Sequence, residues 1–443
     1  MLLIEQLTRR IAERDYCIGI VGLGYVGLPL TSIACQAGFK VIGFDINTDR
    51  VNHINDGISV IKHFDCSFLH RAIAESRFFA TSDFDQLSQC DAILIAVPTP
   101  LTKHREPDLS FVESTVEQIA RRLRRGHLVV LESTTWPGTT SQVVKSRLDQ
   151  TGLIQGQDYF LAFSPEREDP GNAHFSTRNT PKVVGGENEQ ALHLAVSLYS
   201  ALVVSVVPVS STQVAEAVKL TENIFRAVNI ALVNELKIIF QRMGIDIWEV
   251  IDAAKTKPFG FMPFYPGPGL GGHCIPIDPF YLTWKAREFD TSTQFVELAG
   301  EINTAMPRYV VNRVAEALDG HSERGLKNAK VLVLGIAYKK NIDDMRESPS
   351  LRLIELLQER GARVDYHDPF IPAIPLTREH PELFGRRSAP IDPIALSYYD
   401  VVLIATDHDA VDYKIVVEHA RLVVDTRNVC SRTGAVGDNV VKA

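Results

Sequence analysis

The stretch YCIGIVGLGYVGLPLTSIACQAGFKVIGFD, residues 16–45, decides the fold of the first part of this chain. A short apolar run at 16–21, typical of a buried strand, leads into Gly22-Leu23-Gly24-Tyr25-Val26-Gly27. A helical segment at 28–37 follows, and a second apolar strand at 40–44 ends at Asp45. The three glycines suit a tight turn, close approach of the backbone to a pyrophosphate, and packing of helix on strand. This order of elements predicts a dinucleotide-binding unit rather than an ordinary glycine-rich turn.

The same stretch indicates which dinucleotide is bound. A pyrophosphate would lie at the N-terminus of the helix, where free N–H groups and the helix dipole favour an anion. Asp45, about 20 residues after the turn, can accept a hydrogen bond from a free ribose 2′-hydroxyl, which favours NAD over NADP. Arg50 is the one nearby residue that could instead accept a 2′-phosphate.

Further apolar strands are predicted at 91–97, 128–131 and 159–163, and each is followed by polar or proline residues. The segments after these strands are Pro98-Thr99-Pro100, 132–138 and 164–170. In open α/β sheets, ligands bind outside the carboxyl ends of the strands. Any one of these segments can be an ordinary turn, but their repetition predicts a site at this edge.

The middle of the chain changes to helical periodicity. Residues 213–243 predict one long helix and residues 295–318 predict another. One face of the first helix carries polar side chains every three or four residues: Glu216, Lys219, Glu222, Asn223 and Arg226. Such a stripe is often only a solvated surface. Asparagine is a poor helix former, however, so Asn223, Asn229 and Asn234 require another reason to be present.

Residues 257–278, KPFGFMPFYPGPGLGGHCIPID, are too rich in glycine and proline for a helix or a central strand. Long loops inside compact domains are usually functional, and this loop ends close to a single thiol, Cys274. The context favours a reactive Cys274 over an inert one. We expect His273 to have a backbone or packing role.

The last third repeats the logic of the first third. Strands are predicted at 330–335, 363–366, 399–405 and 422–425, with Lys339 and Lys340 in the first turn instead of the glycine fingerprint. The predicted fold class is α/β, with two Rossmann-like doubly wound parallel-sheet domains joined by a central helical region with a long connecting helix. The predicted domains are residues 1–208, 209–322 and 323–443.

Composition limits the possible partners and compartment. The 443 residues carry a net charge of −8, which argues against a nucleic-acid or membrane-surface partner. The six cysteines include no CxxC pair, so we expect a reducing compartment and no metal site. No stretch is long and apolar enough to span a membrane, so the predicted location is cytoplasmic.

A hydride acceptor together with a thiol suggests oxidation of an alcohol through an aldehyde. A thiolate traps the aldehyde as a thiohemiacetal, hydride loss from this adduct gives a thioester, and water then releases an acid. The product would be a carboxylate formed in two NAD-dependent steps.

Seven runs resemble signature runs of the UDP-sugar 6-dehydrogenases, in the UDP-glucose/GDP-mannose dehydrogenase family. They are GLGYVGLPL, VPTPL, ESTTWPGTT, SPEREDPGN, VKLTENIFRAVNIALVNE, GPGLGGHCIPIDP and GIAYKKNIDDMRESP. The forms SPEREDPGN, KPFGF and GGHCIPIDPFYLTWKARE are most similar to the branch that oxidises UDP-N-acetylhexosamines. The resemblance implies a UDP-sugar substrate, with UDP-N-acetylglucosamine as the first choice. It also implies a role in surface polysaccharide (O-antigen or capsule) synthesis and a homodimer formed through the central helices.

The resemblance also implies roles for individual residues, with Cys274 as the nucleophile. The implied catalytic residues are Cys274, Lys219, Asn223, Thr134, Glu166 and Asp278. The implied cofactor contacts are Gly22, Gly24, Tyr25, Val26, Gly27, Asp45, Arg50, Pro98, Thr99, Thr134 and Arg346. The implied substrate contacts are Glu166, Arg167, Lys219, Asn223, Arg226, Phe264, Tyr265, Gly267, Gly269, Gly271 and Lys339. A further acidic position falls on Glu168 or Asp169, and the sequence does not choose between them.

Several alternatives stay open at this point. The sugar can be UDP-GalNAc, UDP-ManNAc or UDP-glucose, because a few pocket contacts set such stereochemical preferences. A two-electron dehydrogenase with a structural Cys274 would form one NADH per substrate. An inactive NAD-binding regulatory protein would bind the cofactor and form none.

Overall fold

The computed structural model describes residues 2–61, 67–102, 106–167, 176–272, 275–377 and 379–443. Two units make up the chain. The first contains Met1–Glu222 with Phe280–Ser292, and the second contains Asn223–Pro279 with Thr293–Ala443. The division into three domains stays a prediction.

The first unit is built on an eight-stranded sheet with strand order β3-β2-β1-β4-β5-β6-β7-β8. Its strands are β1 Cys17–Val21, β2 Lys40–Phe44, β3 Phe78–Thr81, β4 Ala92–Ile95, β5 Leu128–Leu131, β6 Phe160–Phe163, β7 Lys182–Gly186 and β8 Val206–Val209. All neighbouring pairs are parallel except β6 and β7, which are antiparallel. The strands β4, β5 and β6 are buried at every residue, as continuous apolar runs predict for a sheet covered on both faces.

The helices of this unit come before β1 or after one of the strands. They are α1 Leu2–Glu13, α2 Gly27–Gln36, α3 Thr48–Asn55, α4 Ser67–Ala74, α5 Ser110–Ala120, α6 Ser146–Leu148 and α7 Glu189–Leu202. A π-helical segment, Thr140–Lys145, leads directly into α6. The long helix α8, Thr212–Arg242, contributes its residues up to Glu222 to the first unit and the rest to the second.

The second unit is built on a five-stranded, wholly parallel sheet with order β10-β9-β11-β12-β13. Its strands are β9 Lys330–Leu334, β10 Arg363–His367, β11 Val401–Ile404, β12 Val423–Asp425 and β13 Val440–Lys442. The remaining helices are α9 Ile247–Ala254, α10 Asp278–Ala286, α11 Gln294–Ser322, α12 Pro349–Glu359, α13 Pro393–Tyr398, α14 Tyr413–His419 and α15 Val429–Thr433. The 29-residue helix α11 runs without a break past an internal proline, Pro307.

The first turn of each sheet is held in the same way. Gly22 after β1 and Gly335 after β9 have φ angles of 94° and 80°, in the left-handed region that favours glycine. A Cβ atom at Gly22 would collide with the carbonyl oxygen of Ala96, and one at Gly335 with that of Thr406. Each turn therefore lies directly against the chain that follows the neighbouring strand.

The predicted fold class is confirmed: two parallel-sheet α/β parts flank a central helical region. The predicted strands at 40–44 and 128–131 coincide with β2 and β5, and the predicted long helix at 213–243 is α8. The sequence analysis did not predict β3, β7, β8 or β13. Within the described ranges, the structure has no helix that is long and apolar enough to cross a membrane.

We expect Gly335→Ala to destabilise the second unit more than Gly434→Ala does. Gly434 also has a left-handed φ of 69°, but a Cβ there meets nothing within 4 Å. The Gly434→Ala variant should lose about 1 kcal/mol of unfolding free energy, the cost of left-handed backbone. Gly335→Ala should lose roughly 2 to 4 kcal/mol, since overpacking against Thr406 adds to that cost. Urea unfolding measures both, and equal losses would contradict the steric role of Gly335.

Candidate active site

The glycine turn and Asp45 form a connected structure in the first unit. The Asp45 carboxylate accepts hydrogen bonds from the Leu23 N–H at 3.0 Å and from the Asn47 N–H at 2.9 Å. It also accepts one from Arg50 Nη1 at 3.0 Å. Arg50 is therefore bound to the acidic residue itself, which disfavours its use for a 2′-phosphate. One described position in the turn is open, since a Cβ at Gly24 would meet nothing within 4 Å.

These residues fit a bound dinucleotide. The N-cap residue of α2 is Val26, whose side chain has no polar group to cap the helix. Leu28 and Leu30 already donate to the carbonyls of Gly24 and Val26, and Pro29 has no N–H, so in the first turn of α2 the Gly27 amide suits a phosphate. A cavity of about 290 Å³ begins at Ile46, the residue after Asp45. Its lining is mostly polar, with Ile46 and Phe84 beside Ser82, Asp83, Asp85, Ser114, Thr115, Gln118 and Arg122.

The segments that follow β4 and β5 are fastened to each other and to α10. The Ser133 hydroxyl donates to the Val97 carbonyl at 2.7 Å, and the Tyr281 hydroxyl donates to the Thr99 carbonyl at 2.8 Å. Thr134 is half-buried, whereas the neighbouring Thr135 is buried and its hydroxyl has no hydrogen-bond partner among the described residues. A buried hydroxyl of this kind can bond to a ligand or a water molecule.

Glu166 and Lys219 are brought together in the first unit. The Lys219 ammonium donates to the backbone carbonyl of Glu166, and Lys219 is only 7% exposed. The next residue, Arg167, pairs with Glu222 at 2.7 Å and donates to the Pro181 carbonyl at 2.6 Å. The turn after β6 is thus attached to two consecutive turns of α8.

A buried ionic group lies beside the turn after β6. Lys182 Nζ is 2.5 Å from Glu132 Oε2, and the Tyr199 hydroxyl donates to the other oxygen of the Glu132 carboxylate. Burial raises the pKa of Glu132, because desolvation disfavours its charged form more than the Lys182 ammonium favours it. The same desolvation raises the pKa of Tyr199.

Glu216 connects α8 to the segment after β5. Its fully buried carboxylate accepts from the Gly138 N–H at 2.5 Å and from the N–H and hydroxyl of Thr140 at 2.8 and 2.7 Å. It therefore caps the N-terminal end of the helical segment that begins at Thr140. Burial raises the pKa of Glu216 to about 7, although the three donors offset part of that effect.

Asn223 and Asp278 are brought together in the second unit. Asn223 Nδ2 donates to Asp278 Oδ2 at 2.5 Å, and the two residues are 4% and 3% exposed. Lys219 and Asn223 lie one helical turn apart on α8, as their spacing predicts. Four residues named from the sequence, Cys274 and His273 together with Glu168 and Asp169, lie outside the described residues.

The glycine- and proline-rich loop packs closely on other parts of the second unit. A Cβ at Gly267 would lie 2.6 Å from Arg427 Nη1, and one at Gly271 would lie 2.6 Å from Tyr338 Cβ. The N–H of Gly272 donates to the Arg346 carbonyl at 3.0 Å. Side chains at these positions would push the loop away, so glycine is required for close contact. Gly269, with a φ of 139°, adds a conformation that other residues rarely adopt.

Asn234 explains one of the unexpected asparagines of α8. It is fully buried, its Oδ1 accepts from the Gly267 N–H at 3.0 Å, and its Nδ2 donates to Asn303 Oδ1 at 3.0 Å. Asn234 therefore fastens the loop to α8 and α11. Asn229 has no such role, since its amide only bonds back to the Phe225 carbonyl of its own helix.

The aromatic residues of the loop have separate contacts. Tyr265 stacks on Trp248 with ring centroids 5.4 Å apart, and its hydroxyl donates to Asp252 at 2.8 Å. Phe264 meets Phe225 edge to face at 5.8 Å.

The turn after β9 is held by a buried histidine. His408 Nδ1 accepts from the Asn341 N–H at 2.9 Å, and His408 Nε2 lies 3.0 Å from Asp368 Oδ2. The same Asp368 oxygen accepts the N–H groups of Ile336 and Ala337 at 2.7 and 3.0 Å. These contacts fix the segment that carries Lys339.

Two basic residues of this region differ in their surroundings. Lys339 is half-buried, whereas Arg346 is exposed and forms an ion pair with Asp344 at 2.6 Å. A cofactor contact by Arg346, as implied by the resemblance, would have to share or break that ion pair. Arg226, a predicted substrate contact, is exposed.

Comparison with known proteins identifies the family. The chain matches the NAD binding, central and UDP binding domains of the UDP-glucose/GDP-mannose dehydrogenase family over residues 16–203, 213–305 and 332–432. It is 36% identical over 399 residues to UDP-N-acetyl-D-glucosamine 6-dehydrogenase from Pseudomonas aeruginosa, covering 89% of this chain and 91% of that protein. The chain belongs to this family.

Other relatives of this dehydrogenase have names that refer to different sugars. NDP-N-acetyl-D-galactosaminuronic acid dehydrogenase from Ralstonia nicotianae is 36% identical, covering 94% of this chain and 96% of that protein. The solved structure of UDP-D-ManNAc dehydrogenase from Pyrococcus horikoshii superposes with a TM-score of 0.84 at 31% identity, covering 96% of this chain and 97% of that one. The family and the NAD cofactor predicted from the sequence are confirmed, whereas the choice among N-acetylhexosamines stays a prediction.

The sequence analysis missed several polar residues around the predicted site. Glu132, Lys182 and Tyr199 were not predicted to have a role. Glu216 was predicted only to lie on the polar face of the helix at 213–243. One signal was available for Lys182, which stands at the start of an otherwise apolar run, KVVGG. Its assignment required knowing that β7 runs antiparallel to β6.

We expect the pKa of Glu216 to produce a measurable pH dependence of stability. The pKa is raised from 4.5 in the unfolded chain to about 7 in the folded one. Between these values the unfolded chain loses its proton first, so the unfolding free energy falls as the pH rises and levels off above pH 7. The fall should be roughly 3 kcal/mol.

Chemical unfolding between pH 4.5 and 8 tests this effect. Glu216→Gln should remove that part of the decline, whereas Glu235→Gln, at an exposed site on the same helix, should keep it. Parallel curves for wild type and Glu216→Gln would contradict the assignment.

Proposed function

We propose that this dehydrogenase oxidises the C6 hydroxyl of a UDP-N-acetylhexosamine, in the first place UDP-N-acetylglucosamine, to the uronic acid in two NAD-dependent steps. Cys274 is the proposed nucleophile, and the product serves surface polysaccharide synthesis. The observation that carries the proposal lies on α8. There the buried Lys219 is bonded to Glu166 and the buried Asn223 is bonded to Asp278. All four residues are those that the resemblance implies for this chemistry.

Lys219 and Asn223 suit the stabilisation of developing negative charge on the sugar oxygen. An ammonium and an amide N–H one turn apart on a rigid helix can both donate to one oxygen. Both side chains are nearly excluded from solvent, where such donors are most effective. Removing one donor of this type typically costs about a hundredfold or more in rate.

Asp278 and Glu166 suit the handling of protons and water. Asn223 donates to one oxygen of the Asp278 carboxylate, which fixes its orientation at the start of α10. A carboxylate held in this way can orient water for hydrolysis of a thioester on Cys274. Glu166, whose backbone is fixed by Lys219, is the proposed acid/base or water-positioning group.

Bound NAD+ supplies the hydride acceptor. The chain contributes the pyrophosphate turn at Gly22, Gly24 and Gly27, and Asp45 to accept the ribose hydroxyl. Because Asp45 is also bonded to Arg50, the nearby cation is already occupied by a carboxylate. This arrangement supports the selection of NAD over NADP.

The UDP part is proposed to bind in the second unit. The segment after β9 brings Lys339, and the loop 264–272 lies against that segment through contacts of Gly271 and Gly272. The aromatic Phe264 and Tyr265 suit stacking or edge contact with uracil. Two relatives that match most of the chain have names referring to N-acetylated sugars, which supports an N-acetylhexosamine as the substrate.

The protein is further proposed to act as a homodimer through α8. Phe225, Leu232 and Ile239 are 49%, 49% and 45% exposed and recur every seven residues, so they form one apolar stripe on the helix. A repeated apolar stripe of this kind suits pairing with a second copy of the same helix.

We expect a panel of UDP-sugars with NAD+ to give two NADH per molecule of UDP-N-acetylglucosamine consumed, with little turnover of UDP-glucose. The panel includes UDP-GalNAc and UDP-ManNAc, and absorbance at the NADH band is compared with chromatography of the sugar. One NADH per sugar would indicate the two-electron alternative. Binding without NADH formation would indicate the regulatory one, and a strong preference for UDP-glucose would contradict the subfamily assignment.

Cys274→Ala is the matched variant for this experiment. Without the thiol no thioester can form, so the net formation of uronic acid should fall to background while NAD+ still binds. Uronic acid formed at near wild-type rate would contradict the covalent mechanism.

We expect Leu232→Glu to convert the dimer to a monomer, because a charge would be buried at the centre of the stripe. Sedimentation equilibrium or light scattering measures the mass. Val436→Glu, at an apolar residue that is 86% exposed outside the stripe, is the control and should leave the mass unchanged. A Leu232→Glu variant with the mass of wild type would contradict the proposed interface.

A further inference from the structure

Lys182 occupies an unusual place because of the direction of its strand. The antiparallel register pairs Ala162 with Gly186 and Phe163 with Gly185. The start of β7 therefore lies beside the residues that follow β6, at the edge where the parallel strands end. Lys182 is only 3% exposed, and its ammonium faces this edge from inside the sheet.

The ammonium of Lys182 has four neighbours. Its Nζ is 2.5 Å from Glu132 Oε2, 3.2 Å from the Pro165 carbonyl oxygen and 4.0 Å from Glu166 Oε2. The Tyr199 ring lies 5.3 Å away. The two contacts at Pro165 and Glu166 reach the turn that carries the proposed acid/base group.

A structural role in the core does not account for this arrangement. Buried ion pairs are usually no more stabilising than apolar residues of the same size, so core packing alone gives no reason to place one here. The Lys182–Glu132 pair instead lies beside the turn at Pro165 and Glu166 and contacts the backbone of that turn. Lys182 bonds to the carbonyl of Pro165, and Lys219 bonds to the carbonyl of the next residue, Glu166. Two buried lysines thus hold two consecutive peptide groups.

We propose that Lys182 is a positioning residue: held in place by Glu132 and Tyr199, it fixes the Pro165–Glu166 turn and thereby the carboxylate of Glu166 and the ammonium of Lys219. The inference rests on the proposed function, in which Glu166 and Lys219 act on the sugar. Its consequence is that a residue without substrate contact governs the rate. An error of about 1 Å in a reacting group can cost about a hundredfold in rate.

Steady-state kinetics of Lys182 variants test the proposal with the UDP-sugar that wild type turns over. Lys182→Met should lower kcat about tenfold to a hundredfold while KM for NAD+ stays within about twofold. Lys182→Arg, which keeps a cation and its donors, should recover most of kcat. Glu132→Gln/Lys182→Met, which does not leave the Glu132 carboxylate buried without its ammonium partner, should recover thermal stability but not kcat.

Two further variants separate positioning from general destabilisation. Arg10→Met removes another ion pair of the same sheet, Arg10 with Asp91 at 2.9 Å, at the amino ends of the strands, where Asp91 keeps Arg124 at 3.0 Å. It should lower stability and leave kcat unchanged. In Glu166→Gln, where kcat is already reduced, adding Lys182→Met should lower kcat much less than it does in wild type.

The outcomes distinguish this inference from the function on which it rests. If Glu132→Gln/Lys182→Met recovers kcat together with stability, or if Arg10→Met loses as much kcat as Lys182→Met, the positioning role is wrong. Additive losses in the Glu166→Gln background would also overturn it. A wild-type protein that forms no NADH with any UDP-sugar would instead refute the proposed function.

Discussion

The direction of one strand governs the polar edge of the first sheet. The strands from β1 to β6 are parallel, so all of them bring their carboxyl ends to that edge. Because β7 runs antiparallel to β6, its amino end lies at the same edge. Its first residue, Lys182, therefore meets Glu132 at the end of β5. Neither charge would be tolerated alone in such a dry environment, so each depends on the other. The pair gives the turn with Pro165 a rigid attachment.

The two sheets share one geometry in the turn that follows their first strands. Gly22 and Gly335 pack in the same way, but the aspartates that follow the second strand differ. Asp45 accepts from one turn amide and from a surface arginine, whereas Asp368 accepts from two turn amides and faces the buried His408. Both aspartates are buried and both hold the turn in front of them. The two parts of the chain that match the family's NAD binding and UDP binding domains therefore hold the same turn with different partners.

The sequence was informative where local patterns decide the structure. The apolar runs of β2 and β5 and the periodicity of α8 predicted those elements because each signal is contained in one segment. The short strands β3 (FFAT), β8 (VVPV) and β13 (VVK) escaped prediction because three or four residues are too few to show a period. Contacts such as Lys182 with Glu132 depend on strand direction, and the Asp344 partner of Arg346 depends on loop conformation. Neither can be derived from spacing alone. Cys274, the proposed nucleophile, lies outside the described residues.

The bond from the Asn341 amide to His408 has a consequence for proton placement. Because Nδ1 accepts that backbone hydrogen, the single hydrogen of the neutral ring must sit on Nε2, where it points at Asp368. The imidazole is thereby confined to one tautomer. The path of the chain that presents Lys339 thus determines the position of one hydrogen atom inside the protein.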